Sequence, residues 1–222
     1  PGFPAHPHRG FETVTLVTKG VVDHSDSLGA AGRFGFGDVQ WMTAASGVVH
    51  EEFHGSAFAR RGGLFEMVQL WVNLPARDKM TSPRYQEILK ASIPTVTAEG
   101  GARVQVVSGQ FAGVRGPAMT FSPVNVWDAQ INAGQRLDLS VEDGYTTLFA
   151  VLKGSVRVNE SQTVSSPALV ILDRDGTEAS LEAVDADATV LILNGEPLNE
   201  PVVGYGPFVM NTRDEIMQAV ND

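Results

Sequence analysis

Two matching stretches, residues 14–22 (VTLVTKGVV) and 147–158 (TLFAVLKGSVRV), decide the fold class predicted for this chain of 222 residues. Both are rich in β-branched and aromatic residues, which favour strands, and both contain a Lys-Gly pair typical of a turn between two strands. One pair begins at Lys19 and the other at Lys153. We interpret this match as an internal repeat, which predicts two related β domains.

The remainder of the chain supports an all-β fold class. Further strand signals lie at residues 39–42 and 64–74. Residues 76–98 are polar and contain two prolines, as expected for a linker between domains. The predicted domains are therefore residues 1–95 and 96–222. The content of 23 Gly and 12 Pro favours tight turns over long helices.

Two short helices are predicted beside the strands. The first spans residues 83–90, because Ser82 stands at the N-cap position and Pro83 at the first helical position. The second follows Thr212, since the stretch TRDE has the pattern of a capping box. We expect both helices to be additions to a β core.

Composition and charge exclude several classes of protein. Sixteen Lys and Arg against 26 Asp and Glu give a net charge of −10 with no basic cluster, so direct nucleic-acid binding lacks its electrostatic driving force. The absence of Cys excludes disulfides, iron–sulfur clusters and any zinc site that contains Cys. No apolar run approaches the ~20 residues of a membrane span, so we predict a soluble, cytoplasmic protein with no membrane partner. Because the chain begins at Pro1, we expect further residues upstream.

All five histidines lie near the start of the chain, between His6 and His54. Strand side chains repeat every two residues, so His6 and His8 share one face of a strand, as do His50 and Glu52. On neighbouring strands, these three imidazoles and one carboxylate can converge on one ion. Such donors suit iron, nickel, copper, cobalt, manganese or zinc, and suit calcium and magnesium poorly.

Other residues near these pairs leave alternatives open. A bulge in the second strand would exchange the roles of Glu51 and Glu52. His24, in a polar run, is interpreted as a turn residue, and His54 as the end of a strand that could still supply a ligand.

The repeat gives a further expectation about the second domain. Aligning Lys153 with Lys19 places Ser140 and Glu142 where the first copy has His6 and His8. We therefore predict a second domain without the metal ligands.

Several motifs are similar to those of one known family. They are HPHRGFETV (6–14), GDVQWMTA (37–44), GVVHEE (47–52), QLWVNLP (69–75), YQE (85–87), GEPL (195–198) and GPFVMNT (206–212). Together they closely resemble the pirins, members of the cupin superfamily, over nearly the whole chain.

The resemblance implies a bicupin, in which two antiparallel β-barrels (double-stranded β-helices) carry one metal in the N-terminal barrel. It implies His6, His8, His50 and Glu52 as ligands, the same set that strand parity favours. The general cupin pattern would instead nominate Glu12, which similarity to the pirins leaves as a residue that supports the ligands or lines the pocket.

The surroundings and the metal of this site are also predicted. Trp41 and Met42 are expected in the core, where they could line the pocket. The predicted cofactor is one divalent transition metal, iron before nickel, copper, cobalt, manganese or zinc. We expect a monomer whose last segment, residues 206–222, crosses back to the first barrel.

Two functions of different classes follow from the resemblance. The first is a quercetin 2,3-dioxygenase, which opens a flavonol-like substrate with O2 and in which Glu52 is both metal ligand and catalytic base. The alternative is a metal-dependent regulatory protein that binds a protein partner, as a transcriptional cofactor or a modulator of a metabolic enzyme, without physiological catalysis. A third possibility is a vestigial site that holds structural zinc.

Overall fold

The computed structural model describes all 222 residues, and the chain separates into two compact units. Unit 1 comprises Pro1–Ser92 and Leu198–Asp222, and unit 2 comprises Ile93–Pro197. Both are built from antiparallel strands, so the predicted all-β fold class is confirmed.

The strands follow one another with short connections. The first part of unit 1 contains β1 (Gly2–His8), β2 (Phe11–Lys19), β3 (Val22–Asp26), β4 (Ala31–Phe34), β5 (Val39–Thr43), β6 (Val48–His54), β7 (Glu66–Asn73) and β8 (Arg84–Ile88). Unit 2 contains β9 (Thr95–Thr97), β10 (Arg103–Ser108), β11 (Gln110–Phe111), β12 (Val114–Arg115), β13 (Val124–Ile131), β14 (Arg136–Ser140), β15 (Thr146–Lys153), β16 (Ser155–Val158), β17 (Gln162–Ser165), β18 (Ala168–Ile171), β19 (Glu178–Ala183) and β20 (Ala188–Gly195). The C-terminal part of unit 1 adds β21 (Val203–Tyr205) and β22 (Phe208–Met210).

Helices are few and short. They are α1 (Ser56–Arg61), α2 (Arg213–Asn221) and the single 3-10 turns Ala76–Asp78 and Lys90–Ser92. None is long and apolar enough to cross a lipid bilayer.

The internal repeat appears as equivalent strand orders in the two units. Sheets β1-β6-β3-β4 and β7-β2-β5-β8 form unit 1, while β14-β19-β16-β17 and the six-stranded sheet that includes β20-β15-β18 form unit 2. In both units the chain passes from one sheet to the other at the Lys-Gly pair, where Gly20 and Gly154 have φ values of 92° and 76°. Each unit is thus a jelly roll of two sheets, the architecture of a cupin domain, and not one closed sheet.

The strand pairing corrects the residue-level alignment of the repeat. His6 lies opposite His50 in unit 1, and the equivalent pair in unit 2 is Leu139 opposite Ala179. Aligning the two Lys-Gly pairs made Ser140 the equivalent of His6, whereas the strand pairing makes it Leu139, one residue earlier. Connections of different length between the first two strands of each copy account for the shift, which changes the face on which a side chain lies.

Of the two predicted helices, one is confirmed and one is wrong. Helix α2 begins after Thr212, whose hydroxyl accepts from the Glu215 backbone N–H at 3.2 Å while the Glu215 carboxylate accepts from the Thr212 N–H at 2.8 Å. Residues 83–90 instead contain strand β8, which pairs with β5. Gln86 and Ile88 are buried there and Glu87 is exposed, so pairing with a buried strand overrides the local helix signal.

Residues 206–222 pack within unit 1, as the expected return of the last segment to the first barrel requires, although the predicted domain bounds 96–222 grouped them with the second domain. Val209 donates its backbone N–H to the Arg9 carbonyl at 3.0 Å, and Arg9 forms an ion pair with Asp222 at 2.7 Å. The buried Lys79 ammonium also donates to the Val209 carbonyl at 2.8 Å. These contacts join segments from opposite ends of the chain, so no local pattern reveals them.

Candidate metal centre

Three neighbouring strands of unit 1 carry the polar side chains of the candidate site. Strand β1 pairs with β6, where His6 lies opposite His50, and β6 pairs with β3, where Glu52 lies opposite His24. Directly opposed residues of an antiparallel pair project to the same face. The two pairs predicted from strand parity therefore converge on one side of this sheet.

The three imidazoles of His6, His8 and His50 lie in mutual contact. Their ring centroids are 4.8 Å apart for His6 and His8, 4.4 Å for His6 and His50, and 4.9 Å for His8 and His50. Their possible ligand atoms all lie within 4.8 Å of one another. Glu52 meets the same limit in a second group, with His50 and His24. The structure thus brings the three histidines together and places Glu52 beside the third.

Backbone carbonyls fix the orientation of two of these rings. His6 Nδ1 lies 2.8 Å from the Pro4 carbonyl oxygen, and His8 Nδ1 lies 3.3 Å from the Pro207 carbonyl oxygen. A carbonyl oxygen only accepts, so each Nδ1 carries the hydrogen and each Nε2 keeps its lone pair. This is the tautomer in which Nε2 can bind a metal ion.

His50 also has its Nε2 atom available for a metal ion. Its Nδ1 lies 3.4 Å from Nδ1 of His24, while its Nε2 is buried and has no hydrogen-bond partner. A buried polar atom without a partner is uncommon in folded proteins and often marks a bound ion or water.

Burial and mutual repulsion keep the imidazoles of His8 and His50 neutral. Burial, followed by the charge of His6, lowers the pKa of His8 from 6.5 to about 4. Burial, followed by the charges of His8, His6 and His24, lowers the pKa of His50 to about 3. Neutral imidazole is the form that binds metal, so the lone pairs of these two rings are available at neutral pH.

Two polar side chains of the facing sheet hold the Glu52 carboxylate. Gln69 donates from Nε2 to Glu52 Oε2 at 3.1 Å, and the Thr15 hydroxyl lies 3.5 Å from Oε1. Burial raises the pKa of Glu52, and the hydrogen bond from Gln69 opposes that shift. A raised pKa suits a carboxylate that accepts a proton near neutral pH.

The pairing of β6 places Glu51 and Glu52 on opposite faces of the strand. The register between β3 and β6 is regular from Val22–His54 to Asp26–His50, so no bulge exchanges the two glutamates. Glu51 lies on the other face, where it accepts from the Ser25 hydroxyl at 2.8 Å.

Glu12 and Trp41 lie away from these ligands, whereas Met42 lies on their side. Thr15 reaches Glu52, and Glu12, three positions earlier on β2, projects to the opposite face, where the Thr43 hydroxyl donates to it at 2.7 Å. The corner at residues 9–10 between β1 and β2 breaks the parity that linked Glu12 to His8. In the pairing of β2 with β5, Trp41 lies opposite Val14, on the same face as Glu12, and Met42 lies opposite Thr13, on the same face as Thr15. Both side chains are fully buried.

The two remaining histidines have separate roles. His24 is not in a turn as predicted, because it lies within β3, is 3% exposed and contacts His50. His54 ends β6 as predicted, and its ring packs on Phe58 and Phe65 at 5.6 Å and 4.4 Å.

Sequence reasoning missed four residues around the ligands. They are Thr15, Asp26, Gln40 and Gln69. One signal was present in β3, where His24 and Asp26 alternate with the same period as His6 and His8. The others lie in strands that read as hydrophobic core, so only the tertiary contacts distinguish them.

Unit 2 has apolar side chains at the equivalent positions. Ala179 and Leu181 replace His50 and Glu52 in register, and both belong to the hydrophobic core. The candidate metal ligands therefore lie in unit 1.

The donors fit a transition metal. Three imidazoles place possible ligand atoms within 4.8 Å of one another, the Nε2 of His50 is buried and without a partner, and a carboxylate lies beside them. Nitrogen-rich donors with one oxygen suit first-row transition metals.

Two family models match the N-terminal and C-terminal parts of the chain. The family model described as Pirin matches residues 1–72, and that of the Pirin C-terminal cupin domain matches residues 126–222. A Pseudomonas aeruginosa protein, provisionally named a quercetin 2,3-dioxygenase, is 51% identical over 222 residues, covering 100% of this chain and 77% of its own. A pirin-like protein of Caulobacter vibrioides is 44% identical over 223 residues, covering 100% and 78%.

A solved structure agrees with these relatives. A crystal structure of quercetin 2,3-dioxygenase from Acinetobacter baumannii is 53% identical, has a TM-score of 0.96, and the match covers 100% of this chain and 77% of that one. The fold, the two family matches and these identities together show that the chain belongs to the pirin family of cupin proteins.

Proposed function

We propose that His6, His8, His50 and Glu52 hold one divalent transition metal, iron before the others, in a dioxygenase of the quercetin 2,3-dioxygenase type. The observation that carries the proposal is that three imidazoles place possible ligand atoms within 4.8 Å of one another, beside a buried carboxylate. Similarity to relatives with that activity in their names supports the reaction class. The substrate would be a flavonol-like compound, opened with O2.

The metal would supply Lewis acidity toward the 3-hydroxyl oxygen of the flavonol and a route for electrons to O2. The residues of the chain prepare that chemistry. Glu52 is the base that takes the 3-hydroxyl proton on a carboxylate oxygen, and burial raises the pKa of that carboxyl, which strengthens it as a base. Gln69 and Thr15 keep the carboxylate pointed into the site.

An aromatic wall beside the histidines suits a flat substrate. Trp71 is 49% exposed and packs on Phe11 and His8, with ring centroids 4.3 Å and 5.5 Å apart. An exposed indole face next to the ligands can stack on the rings of a flavonol.

Turnover of quercetin tests the reaction. Metal-loaded protein is incubated with quercetin with and without O2, and we expect loss of the flavonol absorbance with release of carbon monoxide only when O2 is present. Absence of O2-dependent loss with any of the candidate metals contradicts the proposal. Elemental analysis of protein purified without added metal is a separate check, because zinc alone counts against an oxygenase.

Two neighbouring glutamates make a matched pair of variants. Glu52→Gln removes the proton acceptor while keeping the shape, so we expect kcat/KM to fall by about 100-fold or more. Glu51→Gln changes the adjacent residue on the opposite face and is expected to retain activity. Equal activity of both variants contradicts the role of Glu52. The regulatory and structural-zinc alternatives stay predictions.

A further inference from the structure

His24 and Asp26 form a buried pair that the proposed ligand set does not use. His24 Nε2 lies 3.2 Å from Asp26 Oδ2, and both side chains are 0% exposed. The other carboxylate oxygen of Asp26 accepts from the backbone N–H groups of Leu28 and Ala30, at 2.9 Å and 3.0 Å. The turn after β3 therefore fixes the direction of the carboxylate, and the carboxylate fixes the imidazole.

The hydrogen positions of this pair follow from donor and acceptor rules. An ionised carboxylate only accepts, so His24 Nε2 carries the hydrogen and, in the neutral ring, Nδ1 carries the lone pair. That lone pair faces Gln40 Nε2 at 2.8 Å and His50 Nδ1 at 3.4 Å. His50 must then have its hydrogen on Nδ1, because two lone pairs would otherwise oppose each other.

The consequence lies at the other nitrogen of His50. With the hydrogen on Nδ1, the lone pair is on Nε2, the buried atom that has no protein partner. Unlike His6 and His8, which are oriented by backbone carbonyls, His50 is oriented by a side chain and can be altered by mutation.

We propose that Asp26 and His24 form a relay that sets the tautomer of His50 and directs its Nε2 lone pair to the metal ion. Asp26 and His24 are both positioning residues. The relay rests on the proposed function only in taking His50 as a metal ligand. His24 is not itself a ligand, although it groups with His50 and Glu52, because both of its nitrogens are already hydrogen-bonded.

Packing holds His24 in the orientation that the relay requires. Its ring stacks on Tyr85, with centroids 5.0 Å apart and planes 20° apart. Gly32, opposite His24 in β4, leaves room for Tyr85, since a Cβ there would overlap the tyrosine oxygen. A substitution that keeps an aromatic ring at position 24 should therefore preserve this packing.

Asp26→Asn tests the relay most directly. Its amide oxygen can still accept from Leu28 and Ala30, while its NH2 group donates to His24 Nε2 and so moves the His24 hydrogen to Nδ1. The Gln40 amide would then rotate, so that its Oε1, which is otherwise without a partner, accepts that hydrogen. We expect the His50 hydrogen to move from Nδ1 to Nε2, visible in the 15N shifts of labelled, metal-free protein. Asp23→Asn, on the same strand but in an exposed ion pair with Arg33, is the control.

Metal affinity is the second readout. Co2+ is titrated in competition with a chelator, and we expect Asp26→Asn to weaken binding by about 10- to 100-fold, with Asp23→Asn unchanged. His24→Phe keeps the stack on Tyr85 but removes the acceptor, so it should weaken Co2+ binding similarly. His24→Asn has an amide oxygen near the position of Nδ1 and should recover part of the affinity.

These outcomes separate the relay from the proposed function. Unchanged 15N shifts in Asp26→Asn, or wild-type Co2+ affinity in His24→Phe, would overturn the relay. If Asp26→Asn does not fold, the comparison of His24→Phe with His24→Asn decides. If the wild-type protein binds no Co2+, the proposed ligand set fails, whereas the 15N shifts of the metal-free protein still test the relay.

Discussion

Lys79 is predicted to anchor the C-terminal segment beside the site. The side chain is 1% exposed, and its ammonium donates to the Gly10 carbonyl at 2.6 Å, to Asn73 Oδ1 at 2.6 Å and to the Val209 carbonyl at 2.8 Å. One buried cation thus joins the corner at residues 9–10, the end of β7 and strand β22. The perturbation is Lys79→Met, which keeps most of the volume and removes all three donors.

The structure sets the size of the effect. Hydrogen bonds from a charged donor contribute about 1.5–3 kcal/mol each, so three contribute about 5–9 kcal/mol. Burial lowers the pKa of Lys79 from 10.5 to about 8, which corresponds to a cost of about 3 kcal/mol that methionine avoids. We therefore expect Lys79→Met to lower the free energy of unfolding of unit 1 by roughly 2–6 kcal/mol.

The assay is urea denaturation followed by hydrogen-exchange mass spectrometry, which reports peptides of each unit separately. Protection of residues 207–210 should fall first, because these residues lose their anchor. Lys19→Met, which removes only an exposed ion pair with Glu66, is the control and should cost under about 1 kcal/mol. A loss below about 1 kcal/mol in Lys79→Met, with unchanged protection of 207–210, would refute the reasoning.

Three further predictions concern the same unit. Gly10→Ala should lower the melting temperature and release the C-terminal segment, because residue 10 has φ +89° and a Cβ there would overlap the Val209 oxygen. Calorimetry measures the change in melting temperature. Gln69→Ala should raise the pKa of Glu52 further, because the substitution removes a hydrogen bond to the ionised carboxylate. A 13C NMR titration of the metal-free protein measures this pKa, and an unchanged value would contradict the prediction. Metal-free protein should lose stability in acid. The folded pKa values of His8 and His50, about 4 and about 3 against 6.5, make the unfolded state bind more protons below pH 6.5. Each imidazole should therefore cost about 3 kcal/mol by pH 4, and urea midpoints independent of pH from 6.5 to 4 would contradict this.

Local patterns predicted the repeated features of the fold well. The Lys-Gly turns occur where the matching stretches placed them, since glycine alone adopts their positive φ without strain. The capping box at Thr212 begins a helix for an equally local reason. Strand parity placed His6 with His8, and His50 with Glu52, because side-chain alternation depends only on position along a strand.

Features that depend on pairing were predicted poorly. The strand β8 carried a helix signal, and its pairing with β5 overrode that signal. Glu12 shares parity with His8 in the sequence, but a corner between their strands sends it to the opposite face. His24 resembled a turn residue until β3 was paired with β6.

The amino-acid sequence by itself determined the all-β class, the family and the donor types of the metal site, because composition, alternation and motifs are local properties. Tertiary structure decided which donors meet and how they are oriented. Pro207 reaches His8 from the far end of the chain, and His24 reaches His50 from another strand. Such contacts depend on strand register and chain crossing, where a shift of one residue turns every side chain to the other face.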